Sequence, residues 1–340
     1  MGLAESKKIL VTGGAGFIGS VLICELNNLG FENILVADFL GTGDKFLNLV
    51  PLRFADYFDG DDLLELIEGK DAKLNEITHI FHMGACAQTT ECDAAYLMRN
   101  NYEYTKLLAH FAEDRNMRFV YASSAATYGD GTNGMSDRCD PTTLRPLNAY
   151  AYSKHIFDLY AVKHGLHTYG LKYFNVFGPN EYHKGEMRSV VVKSCESIMA
   201  TGKVFLFKSY RGDYEDGKQM RDLLYVKDAA AMTIFLGDVP SAVDGIPTHG
   251  IYNAGSGVAS AWSDVAAAVF SATEKLVDIE FIDMPQELRN KYQYHTCADI
   301  SKLRNVGYTG EITPLSEAIE DYTKNFILRG MKRLEPRQRK

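Results

Sequence analysis

The chain has 340 residues, 46% of them hydrophobic and 24% charged, with a formal net charge of −8. This composition excludes extended disorder, and the negative charge excludes a general attraction to nucleic acid or to anionic membranes. Six cysteines, Cys24, Cys86, Cys92, Cys139, Cys195 and Cys297, are scattered without any C-x-x-C, so reduced thiols are expected and neither a metal site nor a disulfide framework is. No apolar run approaches the roughly 20 residues of a membrane span. Met1 leads almost directly into a strand with no signal-peptide core, so the cytoplasm is the expected location.

Lys8-Ile9-Leu10-Val11-Thr12 reads as a short strand that stops at Gly13-Gly14-Ala15-Gly16-Phe17-Ile18-Gly19, and an amphipathic helix follows over about 17–29. In this G-x-x-G-x-x-G the first glycine allows a tight turn and the second lets backbone approach a pyrophosphate. The third allows close helix–strand packing, and the helix N-terminus faces the anion. A second strand over 33–37 ends in Asp38, placed to take the adenosine ribose hydroxyls. Together these form a βαβ unit built for a dinucleotide.

Strand-like runs over 77–83, 118–123 and 168–174 then alternate with a helix over about 94–115 and a helix carrying Lys154. The alternation predicts an α/β fold with a Rossmann-type doubly wound parallel sheet, and it puts cofactor and substrate beyond the carboxyl ends of the strands. Two of those ends carry candidate chemistry: Met83-Gly84-Ala85-Cys86-Ala87, and Tyr121-Ala122-Ser123-Ser124-Ala125-Ala126-Thr127-Tyr128-Gly129. In Asn148-Ala149-Tyr150-Ala151-Tyr152-Ser153-Lys154, the spacing puts Tyr150 and Lys154 on one helical face. Holding that phenol as phenolate near pH 7 needs roughly 4 kcal/mol, which a lysine charge in a partly desolvated site can supply, joined by the positive ring of an oxidised nicotinamide.

Beyond 174 the pattern changes. Asn175-Val176-Phe177-Gly178-Pro179 is a strand exit with a turn, followed by a polar loop over 181–186, a helix over about 187–200 and a short strand over 204–207. A polar segment at 209–219 leads to 221–226, which reads as a return to the main sheet. The predicted division is therefore a dinucleotide-binding Rossmann domain over 1–175 and 221–255, and a smaller α/β substrate-binding domain over 176–220 and 256–330. Residues 331–340 are expected to form a frayed tail.

The Gly-rich turn, the Ser123-Ser124 strand end, Tyr150 with Lys154 and the exit at 175–179, in this order, resemble the extended short-chain dehydrogenase/reductase family over nearly the whole chain. Gly84-Ala85-Cys86, Thr89-Thr90-Glu91, His183-Lys184-Gly185 and Tyr292-Gln293, with 121–129 and 173–179, are similar more narrowly to those epimerases of the family that invert C6″ of an ADP-heptose for lipopolysaccharide cores. The resemblance implies an isomerase that oxidises the sugar transiently to a ketone and re-reduces it on a tightly bound NADP, with NAD as the alternative coenzyme. It further implies a homo-oligomer such as a pentamer, with ADP-heptose as partner and no metal.

Residue by residue, the resemblance implies that Gly13, Gly16, Phe17, Ile18 and Gly19 line the dinucleotide. Asp38, Phe39 and Lys45 meet its adenosine end. Met83, Gly84, Ala85, Cys86, Ala87 and Asn100 pass along it, and Val176 touches the nicotinamide. Ser124 touches the substrate, Tyr150 is the first acid/base with Lys154 its tuner, and Lys184 beside the cofactor is the second. Asn175, Glu186, Lys193, Phe207, Lys208, Ser209, Tyr210, Arg221 and Tyr292 hold the ADP-sugar, Arg221 as a bidentate donor to the diphosphate.

The chain departs from the family where Phe39 and Gly60 replace an asparagine and a second lysine suited to a 2′-phosphate, and the segment over 210–219 is longer than expected. Three rivals are weighed. A 4,6-dehydratase is disfavoured by Ala125-Ala126, where that pattern puts Asp-Glu. A UDP-hexose 4-epimerase shares the Ser/Tyr/Lys set, and the Lys184 loop and substrate-domain residues argue against it. A non-catalytic dinucleotide-binding regulatory protein is typically marked by loss of the tyrosine or lysine, and both are present.

Overall fold

In the computed structural model, which describes residues 7–289 and 292–338, the apolar runs are strands and the segments between most of them are helices. The strands are β1 (Lys8–Thr12), β2 (Ile34–Asp38), β3 (Asp56–Asp59), β4 (Ile77–His82), β5 (Arg118–Ser124), β6 (Thr168–Tyr173), β7 (Asn175–Phe177), β8 (Val204–Phe207), β9 (Met220–Tyr225), the small pair β10 (Ala242–Val243) and β11 (Ile246–Pro247), β12 (Gly250–Ala254), β13 (Ala259–Ala261) and β14 (Ile279–Ile282). Seven form one parallel sheet in the order β12-β6-β5-β4-β1-β2-β3. Strand order reverses between β1 and β4, which opens a crevice above their carboxyl ends.

The sheet is covered on both faces, as a parallel sheet requires. Ile9 and Val11 pack in one apolar layer with Val21 and Leu22 of helix Phe17–Asn28 and with Ala229 and Met232 of helix Val226–Asp238. Leu10, between them, points to the other layer, with Leu108 and Phe111 of helix Tyr104–Asp114 and Phe157 of helix Ala149–His164. The first layer continues into Val191, Val192, Leu206 and Val265, so the sheet and the later part of the chain share one core.

The expected doubly wound sheet is observed, with three local differences. The segment at 221–226 does not return to the main sheet: β9 pairs with β7 and β13 in a three-stranded sheet of its own, and β12 makes the return beside β6. The cause is polar, because Asp222 on β9 is fully buried and needs donors that converging loops provide and helix-covered strands do not. The helix expected over 94–115 contains a π-helical stretch, Met98–Glu103, between Ala94–Leu97 and Tyr104–Asp114. The segment expected to fray packs back through its described part: Leu334 is buried, its amide donates to Asn180 Oδ1 (2.9 Å), and the Arg337 amide donates to Asn28 Oδ1 (2.7 Å). Arg339 and Lys340 lie outside the described residues. Among the described residues no helix is long and apolar enough to cross a membrane.

Asp222 is the polar centre of the region around the three-stranded sheet β13-β9-β7. Its carboxylate accepts from the amides of Ser256 (2.7 Å), Gly257 (3.0 Å) and Ala298 (2.9 Å) and from the Ser256 hydroxyl (2.7 Å), joining β9 to two loops. Asp222→Ala is expected to cost about 2–5 kcal/mol by stranding these donors. Urea unfolding checks this, and an unchanged midpoint would mean that the loops find other acceptors.

Candidate active site

The cavity starts with two turns in contact. Gly13, at the end of β1, has φ +69°, and a Cβ built on it would fall 2.5 Å from both the Cα and the amide nitrogen of Gly84 at the end of β4. A Cβ on Gly19 would fall 2.2 Å from the Gly13 carbonyl oxygen. Gly16 is the N-cap of helix Phe17–Asn28, with no side-chain cap and no acid in the first turn, so the helix offers unclaimed amides to an anion. Gly13, Gly16, Phe17, Ile18, Gly19, Asp38, Phe39, Lys45, the five residues from Met83 to Ala87, Asn100 and Lys184 all line this one cavity. Tyr96, Tyr104 and His183 line it too and were not anticipated, whereas Val176, Tyr150, Lys154 and Ser124 are not on its wall.

At the adenosine end Asp38 is buried and already engaged. It accepts from the amides of Ala15 (2.9 Å) and Phe39 (2.7 Å) and from Lys45 Nζ (2.5 Å). The Phe39 ring lies over Gly60, where a Cβ would be 2.3 Å from it. The two departures from the family pattern are therefore one feature, a ring occupying the space that a side chain at 60 would take.

Helix Ala149–His164 opens at Asn148, whose side chain accepts from the Ala151 amide (2.8 Å), and closes at left-handed Gly165. Tyr150 stands in its first turn, half-buried. Burial pushes its phenol up, Cys86 adds to this, and a hydrogen bond with the Ser124 hydroxyl opposes it. Lys154 is buried; desolvation lowers it to about 8, against the pull of Asp158 and then Cys86. The sequence predicts that Lys154 lowers Tyr150; in the structure burial outweighs any lowering and the phenol is raised. Spacing of i, i+4 brings the two Cβ atoms together, but the lysine's long stem carries its charge to where Asp158, Cys86 and His82 feel it. Fully buried Asn101, in the π-helical stretch, ties this corner together. Its Oδ1 accepts from the Cys86 amide (2.9 Å) and its Nδ2 donates to the Cys86 carbonyl (3.0 Å) and Ser153 Oγ (2.9 Å).

Lys184 enters from the turn Tyr182–Met187, with its ammonium 5.1 Å from the centre of the Phe17 ring. Its pKa is lowered: desolvation is the leading cause, and Glu181 is the charge that opposes it. Glu181 is fully buried and accepts from the amides of Gly178 (3.3 Å) and Ser189 (2.5 Å) and from Ser189 Oγ (2.7 Å), closing the ends of the loop.

On β9 Arg221 is buried, its guanidinium 5.0 Å from the Tyr292 ring and 5.7 Å from the Trp262 ring. Trp262 Nε1 donates to the Tyr292 hydroxyl (2.8 Å), and Phe207 meets Tyr292 edge to face. Arg221 makes no ion pair among the described residues, and burial lowers its pKa. A buried guanidinium between aromatic faces with no counter-charge suits an anionic, partly planar ligand. Asn175 donates to the Asp222 carbonyl (3.0 Å) at the edge of this region. Tyr210 stacks under Arg289 at 3.7 Å, and the Ser209 amide donates to Asp216 (2.7 Å). Glu186 pairs with Lys193 and Lys208 with Asp283, each at 3.2 Å and largely exposed, so these three expected residues stand in pairs of their own. Trp262 was missed, although the sequence holds only one tryptophan. Among the described residues no three His, Cys, Asp or Glu side chains are grouped to hold a metal ion.

Residues 9–255 match the NAD dependent epimerase/dehydratase family. The chain is 44% identical over 323 residues to the ADP-L-glycero-D-manno-heptose-6-epimerase of Nitratidesulfovibrio vulgaris, covering 94% of this chain and 97% of that protein. Among solved structures it is similar to the ADP-L-glycero-D-manno-heptose-6-epimerase of Helicobacter pylori, with a TM-score of 0.76 and 25% identity over 94% of this chain and 96% of that one. It is also similar to the UDP-glucose 4-epimerase of Thermus thermophilus in complex with NAD, with a TM-score of 0.71 and 27% identity over 95% and 99%.

The glycines differ in what they protect. Gly13→Ala forces both a positive φ and a backbone collision, so it is expected to cost about 2–4 kcal/mol and to abolish dinucleotide retention. Gly16→Ala, whose Cβ meets only the Gly13 carbonyl oxygen at 3.0 Å, is expected to leave the thermal midpoint nearly unchanged while lowering retention. Equal destabilisation of the two variants would contradict this division.

Proposed function

Because the chain belongs to the NAD dependent epimerase/dehydratase family, we propose that it is an isomerase inverting C6″ of an ADP-linked glycero-manno-heptose between its D-glycero and L-glycero forms. One observation carries the reading: Lys184 lines the dinucleotide cavity over Phe17, while Tyr150, beside Ser124, stands off its wall and is linked to it through Cys86, which does line it. Inversion without release requires proton exchange with the C6″ oxygen in two poses, and one fixed phenol cannot serve both equally. A UDP-hexose 4-epimerase leaves Lys184 without a task.

The residues present fit a nicotinamide dinucleotide: the Gly13–Gly84 contact leaves room for backbone alone, the uncapped helix faces the pyrophosphate, and Asp38 stands at the adenosine end. When bound, that group supplies removal and return of hydride at C6″. Tyr150 exchanges the hydroxyl proton in one pose, with the Ser124 hydroxyl holding the phenol and the sugar oxygen in line. Lys184, its proton loosened by burial, exchanges it in the other. Arg221 clamps the diphosphate between Trp262 and Tyr292. We read the protein as a cytoplasmic homo-oligomer such as a pentamer on family resemblance, and light scattering tests the assembly.

NMR of ADP-heptose incubated with the purified protein tests the activity, with inversion at C6″ expected and inversion of a UDP-hexose at C4 sinking the reading. Tyr150→Phe is expected to lower turnover by at least about 10²-fold with fold and cofactor retention intact. Lys184→Met is expected to abolish epimerisation but keep a half-reaction with the epimer that Tyr150 serves. Each epimer is added separately to the two variants, and reduced-nicotinamide absorbance is followed over a single turnover. Opposite epimer preferences support the assignment; identical losses would reduce Lys184 to positioning.

Within the nicotinamide class we read the coenzyme as NADP. Lys45 can turn from Asp38, which keeps two backbone amides, to a 2′-phosphate, and Gly60 beneath Phe39 offers no second cation there. Lys45→Ala is therefore expected to weaken NADP about 10-fold or more and NAD much less, since a charge-assisted hydrogen bond contributes about 1.5–3 kcal/mol. Mass analysis of nucleotide extracted from the unaltered protein, if it finds NAD alone, would overturn this.

A further inference from the structure

Behind the Tyr150 corner lies a buried ion pair that the reading above does not use. Asp158, one turn beyond Lys154 on helix Ala149–His164, and Lys172 on β6 stand 2.9 Å apart with side chains 0% and 2% exposed. The Asp158 carboxylate also accepts from the hydroxyls of Tyr121 (2.9 Å) and Ser123 (2.8 Å) on β5. Lys172 donates to the Thr127 hydroxyl, which itself donates to the Ser124 carbonyl (2.8 Å). Ser124 is thus bracketed by two residues, Ser123 and Thr127, that the pair holds.

A fully buried pair adds little stability over packed apolar residues, so its presence calls for another explanation. Lys154 provides one. Asp158 is the first of the groups that favour its charged form, from its own helix; Cys86 follows from the loop after β4, and His82 on β4, kept neutral by burial, feels the lysine from the other side.

We propose that Asp158 and Lys172 are positioning residues of the proton-transfer site: the pair locks the Ser124 turn against the helix of Tyr150, and the Asp158 carboxylate is the counter-charge that keeps Lys154 an ammonium in its buried place. This goes beyond the functional reading but rests on its use of Tyr150 and Ser124. Losing Asp158 removes the carboxylate one helical turn from Lys154, so Lys154 gives up its proton at lower pH. Losing Lys172 leaves that carboxylate in place.

The test compares Asp158→Asn, Lys172→Met and the double variant Asp158→Leu/Lys172→Met, the last chosen because exchanging a whole buried pair for apolar residues is tolerated where breaking it is not. Two measurements report the Lys154 proton. One is the alkaline limb of turnover with ADP-heptose. The other needs no substrate: the difference in unfolding free energy between each chain and its Lys154→Met counterpart, followed against pH. Because Lys154 is lowered from 10.5 to about 8 in the fold, its charge penalises the native state below about 8, and stability recovers between about 8 and 10.5.

In both chains lacking Asp158 the limb and the onset of recovery are expected to fall by about 0.5–1 pH unit, the scale of one modest charge interaction. In Lys172→Met neither is expected to fall. An onset unmoved in the chains lacking Asp158, or an equal fall in Lys172→Met, overturns the proposal, the second by reducing the pair to packing. If the unaltered chain turns over neither epimer while the substrate-free onsets move as stated, the functional reading has failed and the charge assignment stands.

Discussion

The site depends on the contact of two turns that leave no room between them. Gly13 and Gly84 end adjacent parallel strands, and their backbones approach so closely that a single methyl group on Gly13 would collide with Gly84. Because strand order reverses at this pair, the chains leaving the two turns diverge, one into helix Phe17–Asn28 and the other toward Cys86 and Asn101. The crevice between the diverging chains is the cavity. Its floor is backbone and small side chains, so a flat, charged ligand can lie against unclaimed amides, while reactive side chains reach in from the rim.

The buried cations of the molecule are unevenly balanced, and of Lys154, Lys184 and Arg221 only Lys184 lines the cavity. Lys154, Lys184 and Arg221 are each lowered by desolvation, and their carboxylate compensation is uneven. Lys154 shares Asp158 with Lys172, Lys184 has only Glu181, itself pushed up by burial, and Arg221 has no acid paired with it among the described residues. Buried positive charge left uncompensated is costly, so each of these side chains favours an anion beside it. The same desolvation that makes the lysines expensive brings their protons closer to exchange near neutral pH.

Much of this was legible in the residues. The βαβ unit announced itself because a β-branched run, spaced glycines and a strand-end acid each demand one local geometry, and these demands agree. Tyr150 with Lys154 was legible as a helical pair, yet the direction of its electrostatics was not, since side-chain reach depends on where Asp158 offers a counter-charge. β3 was hidden because Asp56-Tyr57-Phe58-Asp59 is half polar and only Phe58 is buried. The β9 misreading has a similar origin: an apolar run with buried Arg221 and Asp222 fits a strand, and only the distant loops at 256 and 298 show which sheet it joins. Asn101 was out of reach, because a π-helical turn shifts the helical phase without leaving a periodic trace.

Tyr150 and Lys184, the side chains proposed to transfer protons, are held from independent parts of the fold, and both are rigidly held. Tyr150 sits on a capped helix fastened through Asn101, Asp158 and Lys172. Lys184 sits on a loop whose neighbour Asn180 is fully buried, donating to Ser20 Oγ (2.9 Å) on helix Phe17–Asn28 and accepting from the Leu334 amide, while its carbonyl takes a bond from Asn48. Glu181 then closes the loop onto Ser189. A lid that swung between poses would need exposed, replaceable contacts at its base, and this one has buried polar anchors to three separate elements. The lysine and the phenol are therefore each held in a fixed place, and an inversion served by both requires the sugar, not the protein, to turn.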